Sequence, residues 1–391
     1  MATIRSIAFD AKRALFNHTG LGNYSRYAIE TMQRAYPEAE LSLYTRKIHR
    51  RQMHPWLKRL NMPRLVTPDR GTLLPALWRH WRGMTGALRR DRPDVYHGLS
   101  NELPFDIRRA GIPTVVTIHD LIFRRIPENY TAIDRWLYNL KFRSAARNAT
   151  RIIAISERTK ADIIELYGID PAKIDVIYQG VNPIFHQPVS EETREEVRQK
   201  YGLPERYIVM VGTLEQRKNQ LIAIEALPEI DKDVTLVIVG HARNKYGEQV
   251  KRRIEELGLQ QRVKMLRGVP TEHLPALYAM AEIAAYPSRY EGFGLPVVES
   301  LSTGTPVIAA TGSCLEEAGG KGAVYIDPDS PTDFAHHANL LLADPALRRS
   351  MAAAGLSHIS RFDDAGFARN VMETYHRAIE DFNRTNGINE S

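Results

Sequence analysis

Pro287-Ser288-Arg289-Tyr290-Glu291-Gly292-Phe293-Gly294-Leu295-Pro296-Val297-Val298-Glu299 decides how the second half of this chain is read. The run before it, Ile283 to Tyr286, is apolar and reads as a buried strand. Pro296 suits the first turn of a helix, where its missing N–H costs nothing. The order is therefore strand, glycine turn, helix N-terminus. Gly292 and Gly294 permit positive φ and a close approach of backbone to ligand. The N–H groups of Gly294 and Leu295 then face an anion, and the helix dipole adds to the attraction. Glu299 falls about one turn inside the helix, within reach of a sugar hydroxyl. A phosphate and a sugar side by side describe a nucleotide-sugar.

Outward from that stretch the same grammar repeats. Apolar, β-branched runs at Ile4–Phe9, Leu41–Tyr44, Val95–His97, Thr114–Ile118, Arg151–Ile155 and Asp175–Tyr178 alternate with helical patterns. After a turn-rich break from Gly180 to Pro188 come Tyr207–Gly212, Thr235–Gly240, Val263–Leu266, Ile283–Tyr286, Pro306–Ala309 and Ala323–Ile326. Such alternation predicts parallel sheets with helices on both faces. Ligands are then expected at the carboxyl ends of the strands. The chain of 391 residues suits two such α/β domains, 1–183 and 184–366.

Bulk composition narrows the class. A single cysteine, Cys314, excludes a disulfide framework. No apolar run is long enough to span a bilayer, and the N-terminus leads straight into a strand, so a cytoplasmic protein is expected. The net charge of +7 favours anionic partners, yet no nucleic-acid-binding motif accompanies it. No Walker A element or G-x-G-x-x-G follows a strand, which disfavours ATPases and dehydrogenases. Two Asp-x-Asp pairs, Asp231/Asp233 and Asp327/Asp329, sit in polar or proline-fixed turns and read as structural, so no metal is expected.

The E-x7-E element around Gly-Phe-Gly-Leu-Pro resembles the signature of the retaining glycosyltransferases of family 4. Matching stretches run from Asp10–Tyr24 to Ser288–Pro306 and cover nearly the whole chain. The Gly-Thr-Leu-Glu-x-Arg-Lys-Asn form at 212–219 is most similar to the mannosyltransferase-type branch. The resemblance implies the GT-B fold, in which two doubly wound, Rossmann-like domains face each other across a cleft. It also implies that the last helix, from about 367, returns to the first domain. Arg217 and Lys218, beyond Gly212, are expected to neutralise a diphosphate leaving group. Gly292, Phe293, Gly294 and Leu295 would cradle it. By resemblance Glu299 accepts from the ribose hydroxyls, and Glu291 lies by the transferred sugar. By resemblance the glycine loop of Gly20 and Gly22, in the acceptor-binding N-domain, faces the donor phosphate and the acceptor, Gly212 also borders the donor, and His119 contacts the donor sugar. From the residues alone, His119 titrates near neutrality, His97 stays open between ligand and structural roles, and Ser156 is a helix cap.

The expected reaction is transfer of a hexosyl unit, best fitted by mannosyl from GDP-mannose, to a hydroxyl of a glycan or lipid-linked glycan in surface polysaccharide synthesis. The alternatives are a UDP-sugar-dependent enzyme of the same fold, a nucleotide-sugar 2-epimerase, and an inactive nucleotide-sugar-binding protein. Thirteen Lys or Arg against two acids between Arg46 and Arg92, with Trp56, Trp78 and Trp81, suggest peripheral contact with an anionic membrane. In that stretch a helical stripe of Leu74, Leu77, Trp78, Trp81 and Leu88 is expected opposite Arg79, Arg82 and Arg89.

Overall fold

The computed structural model describes residues 3–46, 55–68, 78–241 and 245–387. The chain forms two compact units. One comprises Met1–Gly180 with Asp363–Ser391, and the other Val181–Phe362.

The first unit is built on a parallel sheet. Among the described residues its strands are β1 (Ser6–Asp10), β2 (Glu40–Tyr44), β3 (Arg64–Val66), β4 (Val95–Gly98), β5 (Thr114–Ile118), β6 (Arg151–Ala154) and β7 (Ile174–Val176). Their order is β3-β2-β1-β4-β5-β6-β7, and every pairing is parallel. The chain winds one way to β3 and then restarts beside β1 with β4, so β1 and β4 flank the point where strand order reverses. Crevices open at the carboxyl ends of strands at such points. The central strands are buried on both faces, as β4, β5 and β6 show at every residue, which is why they read as unbroken apolar runs.

The final helix, Asp364–Asn386, belongs to this unit. It buries Phe367, Val371, Met372, Tyr375 and Ala378. Phe367 packs edge-on to Tyr24 and Tyr27. Arg151 reaches Asp381 at 2.6 Å and Asp175 at 3.0 Å. The Tyr375 hydroxyl meets Nδ1 of His97 at 2.8 Å, and His97 Nε2 meets Thr117 Oγ1 at 2.8 Å. Both nitrogens of His97 are thus spent inside the core, and burial holds its pKa down at about 3. It is a structural histidine.

The second unit repeats the plan with β8 (Tyr207–Val211), β9 (Thr235–Val239), β10 (Val263–Leu266), β11 (Ile283–Tyr286), β12 (Val307–Ala310) and β13 (Ala323–Ile326). The order is β10-β9-β8-β11-β12-β13, all parallel. Here β8 and β11 flank the reversal. Helices Gln220–Ala226 and Pro331–Ala343 pack together over one face, closing a core around Ile208, Leu236, Ile283 and Phe334.

The Arg46–Arg92 stretch differs from the periodic reading. Leu74 and Leu77 lie outside the described residues, as do Arg50 and Arg51, two cations of the basic stretch expected to meet a membrane. The helix starts only at Arg82, because Trp81 caps it in an extended conformation, φ −145°. The single helical stripe is therefore broken. Trp81 is 56% exposed, whereas Trp56 is buried. Arg79, expected to face outward, is buried too. It bonds Asp10 at 2.5 Å and Glu102 at 2.5 Å, and Lys141 approaches Glu102 at 3.4 Å. Burial alone would raise Glu102, but Arg79 and Lys141 hold it at about 2. Neither Trp56 nor Arg79 can face a membrane. No helix among the described residues is long and apolar enough to cross one.

Candidate active site

The residues singled out around the E-x7-E element converge at the β8/β11 reversal of the second unit. From the end of β8 the chain passes Gly212 into a short 3-10 turn, Gln216–Lys218, and Asn219 takes a left-handed conformation, φ 59°. The turn is pinned by the Arg289 N–H donating to the Arg217 carbonyl at 2.9 Å and by Asn219 Nδ2 donating to the Pro328 carbonyl at 2.8 Å. These contacts aim both cations toward the end of β11. There, Arg217 Nη1 lies 2.5 Å and Lys218 Nζ 2.6 Å from the same oxygen, Oε1 of Glu291. Arg217 also bonds Glu215 at 2.6 Å and the Tyr290 carbonyl at 2.7 Å.

Glu291 is thus a buried carboxylate between two cations. Burial pushes its pKa up, but Lys218 and Arg217 outweigh this and hold it at about 2. Burial also disfavours the charge on Arg217, which Glu291 and Glu215 more than restore. Tyr286 completes the cluster. Its hydroxyl donates to Glu291 Oε1 at 3.0 Å and receives Lys218 Nζ. The Lys218 ammonium also stands 4.6 Å from the Tyr286 ring centre.

One turn on, Gly294 caps the helix Leu295–Ser302 at φ 105°. A Cβ there would meet Leu315 Cδ2 at 2.7 Å, so backbone angle and space both call for glycine. The first helical bonds run from Val297 and Val298 N–H to the Gly294 carbonyl. Pro296 has no N–H, so the N–H groups of Gly294 and Leu295 stand ahead of the helical ladder, the position that binds anions. Gly292 and Phe293 form the turn before them, with Phe293 packed edge-on to Phe362 at 5.2 Å. Glu299 is half-buried, and Tyr278 OH reaches Oε2 at 3.5 Å. Burial lifts Glu299 to about 7, only partly offset by the Tyr278 hydroxyl and Lys218.

In the first unit, His119 follows β5 and is buried. Asn101 Oδ1 accepts from its backbone N–H at 2.7 Å, and its Nε2 donates to the Leu99 carbonyl at 2.9 Å. That bond fixes the tautomer, leaving Nδ1 as the acceptor. The ring lies edge-on to Tyr24, 4.5 Å between centres. Burial holds His119 down at about 4, so the expected titration near neutrality is corrected: the ring is neutral at pH 7. Gly20 and Gly22 lie inside the first turn of the helix Gly20–Ala35. A Cβ on Gly22 would stand 1.9 Å from the Asn17 carbonyl oxygen, and the Gly22 N–H donates to Asn17 Oδ1 at 3.2 Å.

Several residues of these clusters escaped sequence reasoning. Tyr286 and Tyr278 carried no motif, although Tyr286 ends a strand next to the E-x7-E element. Glu102 had no local signal, and the helical period placed Arg79 on the outer face. Ser156 is a cap, its Oγ accepting from Thr159 N–H at 3.0 Å. Asp329 pairs with Arg289 at 2.6 Å and Asp231 with Arg206 at 2.8 Å. Among the described residues, no three His, Cys, Asp or Glu gather as metal ligands would.

Comparison with known proteins gives the family. The family model for glycosyl transferases group 1 matches residues 193–358, and that for Glycosyltransferase Family 4 matches 19–184. The chain is 31% identical over 384 residues to O-antigen chain mannosyltransferase B of Escherichia coli, covering 94% of this chain and 99% of that one. It is 30% identical over 247 residues to D-inositol 3-phosphate glycosyltransferase of Corynebacterium kroppenstedtii, covering 59% of this chain and 54% of that one. Among solved structures, HepE of Anabaena, crystallised with UDP and glucose, superposes with a TM-score of 0.74 at 22% identity over 95% of this chain and 100% of that one. Two Rossmann-like units, each wound about its own reversal point, and family matches across both, make this chain a group 1 (family 4) glycosyltransferase of the GT-B fold.

Proposed function

We propose that the chain transfers a mannosyl unit from GDP-mannose, with retention and without a metal, to a hydroxyl of a lipid-borne glycan in surface polysaccharide assembly. The observation that carries this is the convergence of Arg217 and Lys218 beside the helix N-terminus at Gly294–Leu295, with Glu299 on the same helix. Two cations and two aligned N–H groups match the charge of a departing nucleoside diphosphate. Glu299 adds a carboxylate for ribose hydroxyls. The choice of mannose and of a polysaccharide acceptor follows the E. coli relative, whose name is that of an O-antigen mannosyltransferase and whose length this chain spans.

The chemistry is electrostatic. The bond from the anomeric carbon to the β-phosphate oxygen breaks, and the electron pair leaves with the diphosphate toward Arg217 and Lys218. The acceptor hydroxyl attacks from the face of departure, and the leaving phosphate takes its proton. With the donor in place, the cations that now hold Glu291 turn to the diphosphate, which frees the carboxylate for the sugar hydroxyls or the positive charge developing at the anomeric carbon. Neutral His119 accepts a hydrogen bond from a sugar hydroxyl through Nδ1. Gly20 and Gly22, in the first helical turn of the acceptor-binding unit, face the donor phosphate and the acceptor.

A thermal-shift panel of GDP, UDP, ADP and dTDP tests the base, since a ligand that binds the folded state raises its melting temperature. GDP should give the largest shift. A larger shift with UDP would overturn the assignment of the donor.

A further inference from the structure

Among the described residues the first unit carries a helix with a solvent-exposed apolar face. The helix Ala132–Asn148 is started by Thr131, whose Oγ1 accepts from Asp134 N–H at 3.2 Å. It turns Phe142, Ala145 and Ala146 inward, with Tyr138 against the same core. On the opposite side stand Ile133, Trp136, Leu137 and Leu140, 71%, 65%, 38% and 46% exposed. Their i, i+3, i+4, i+7 spacing makes one continuous stripe. Among the described residues no other element shows more than two exposed large hydrophobic side chains. A clustered patch of this kind marks an interaction site, whereas single exposed residues do not.

The stripe continues in the same register into Arg143 and Arg147, both exposed, with exposed Arg135 and Arg124 nearby. From Ile122 to Thr150 there are six Lys or Arg and two acids. Of the six, Arg125 is held by Asp162 and Glu165, and Lys141 lies by Glu102. Of the other four, Arg143 and Arg147 prolong the line of the stripe, and Arg124 and Arg135 line a recess at its edge with Trp136. A tryptophan-bearing apolar line bordered by arginines is the composition of an interfacial helix.

We propose that this face of Ala132–Asn148 docks the enzyme on an anionic bilayer, with Ile133 and Trp136 entering the headgroup boundary. The charge selects this occupant. A second copy would bring like charges together across the face, while an anionic leaflet attracts each of them. The proposal rests on the function above in one respect, the lipid-borne acceptor, and places docking on a surface other than the Arg46–Arg92 stretch.

The test is partition of the full chain into vesicles of phosphatidylcholine, with and without phosphatidylglycerol, free of glycan and of nucleotide-sugar. Binding should require the anionic lipid and fade with salt. Trp136→Ser with Leu140→Ser should weaken it at least about tenfold. Arg135→Ser with Arg143→Ser should weaken it roughly thirtyfold at low salt, about fivefold per cation. Lys58→Ser with Arg59→Ser should leave it unchanged. In the unaltered protein, brominated acyl chains should quench tryptophan fluorescence, which keeps the proposal open to refutation if a variant misfolds. Equal binding by parent and Trp136→Ser/Leu140→Ser, equal partition into both vesicle types, absence of quenching, or a parent dimer that these substitutions split would each overturn it. Glycosyl transfer without vesicle binding would sink the docking alone. Vesicle binding without transfer would sink the proposed reaction alone.

Discussion

Glu299→Gln should stabilise the protein at pH 8 and do little at pH 5. Glu299 is lifted from the usual 4.5 to about 7, first by burial, against the pull of Tyr278 and Lys218. The folded state therefore holds a proton that the unfolded chain has released, across the window from about pH 4.5 to 7. Stability falls as pH rises through that window and is flat above it. At ~1.4 kcal/mol per pH unit the ionised carboxylate costs roughly 3 kcal/mol. Glu299 is half-buried, so solvent screening reduces this to on the order of 2. Glutamine has nearly the same shape, keeps an oxygen for the Tyr278 hydroxyl, and has no charge to desolvate. For a unit of this size ~1 kcal/mol moves the melting point by about 2–4 °C. Scanning calorimetry of parent and variant should show the variant melting about 4–8 °C higher at pH 8 and nearly together with the parent at pH 5. The same variant should bind nucleotide more weakly, by ~1.5–3 kcal/mol, because a charged acceptor for ribose is lost. An identical melting difference at both pH values, or a variant less stable at pH 8, would refute the argument.

Arg217→Ala and Lys218→Ala should each lower turnover at least about 100-fold; near-normal turnover in both, measured as sugar transfer, contradicts the diphosphate assignment. Activity should survive EDTA, and loss that Mn²⁺ or Mg²⁺ restores would send attention to Asp327 and Asp329. Gly294→Ala meets both a left-handed φ and the 2.7 Å approach of Leu315, so it should lower stability by at least ~1–3 kcal/mol. A denaturant titration showing no loss would mean the turn relaxes freely.

Much of the fold was legible because the signal was local. β5, β10, β11 and β13 begin and end where the apolar runs do; β5 and β11 are buried at every residue, as parallel strands covered on both faces are, while β10 and β13 are partly buried edge strands that keep short apolar runs. β3 was not seen: it is a three-residue edge strand with Arg64 and Leu65 exposed, too short and too polar to show a period. The glycine turn and the helix after it were readable from Gly294 and Pro296 alone. The bond that organises the cluster was not. Glu291 and Arg217 lie far apart in sequence and meet only because β11 pairs with β8. Arg79 misled for the opposite reason. A helical period drawn across Trp78–Leu88 cannot register that Trp81 is extended, and a buried arginine depends on partners as remote as Asp10. His119 shows the same limit, since its burial among Tyr24, Asn101 and Leu99 is invisible in one stretch of chain.

The placement of the helix Asp364–Asn386 has a consequence for how the protein is made. The second unit is one uninterrupted stretch, Val181–Phe362, whereas the first is completed by the last residues of the chain. Until Tyr375 emerges, His97 lacks its hydroxyl partner, and until Asp381 emerges Arg151 lacks one of its carboxylates. At ~5–20 residues per second, the ribosome needs roughly 10–40 s to travel from the end of β7 to that helix. For that interval the half synthesised first waits with part of its core uncovered, while the half synthesised second can already close. Vectorial synthesis thus reverses the order of maturation: the unit that starts the chain finishes last.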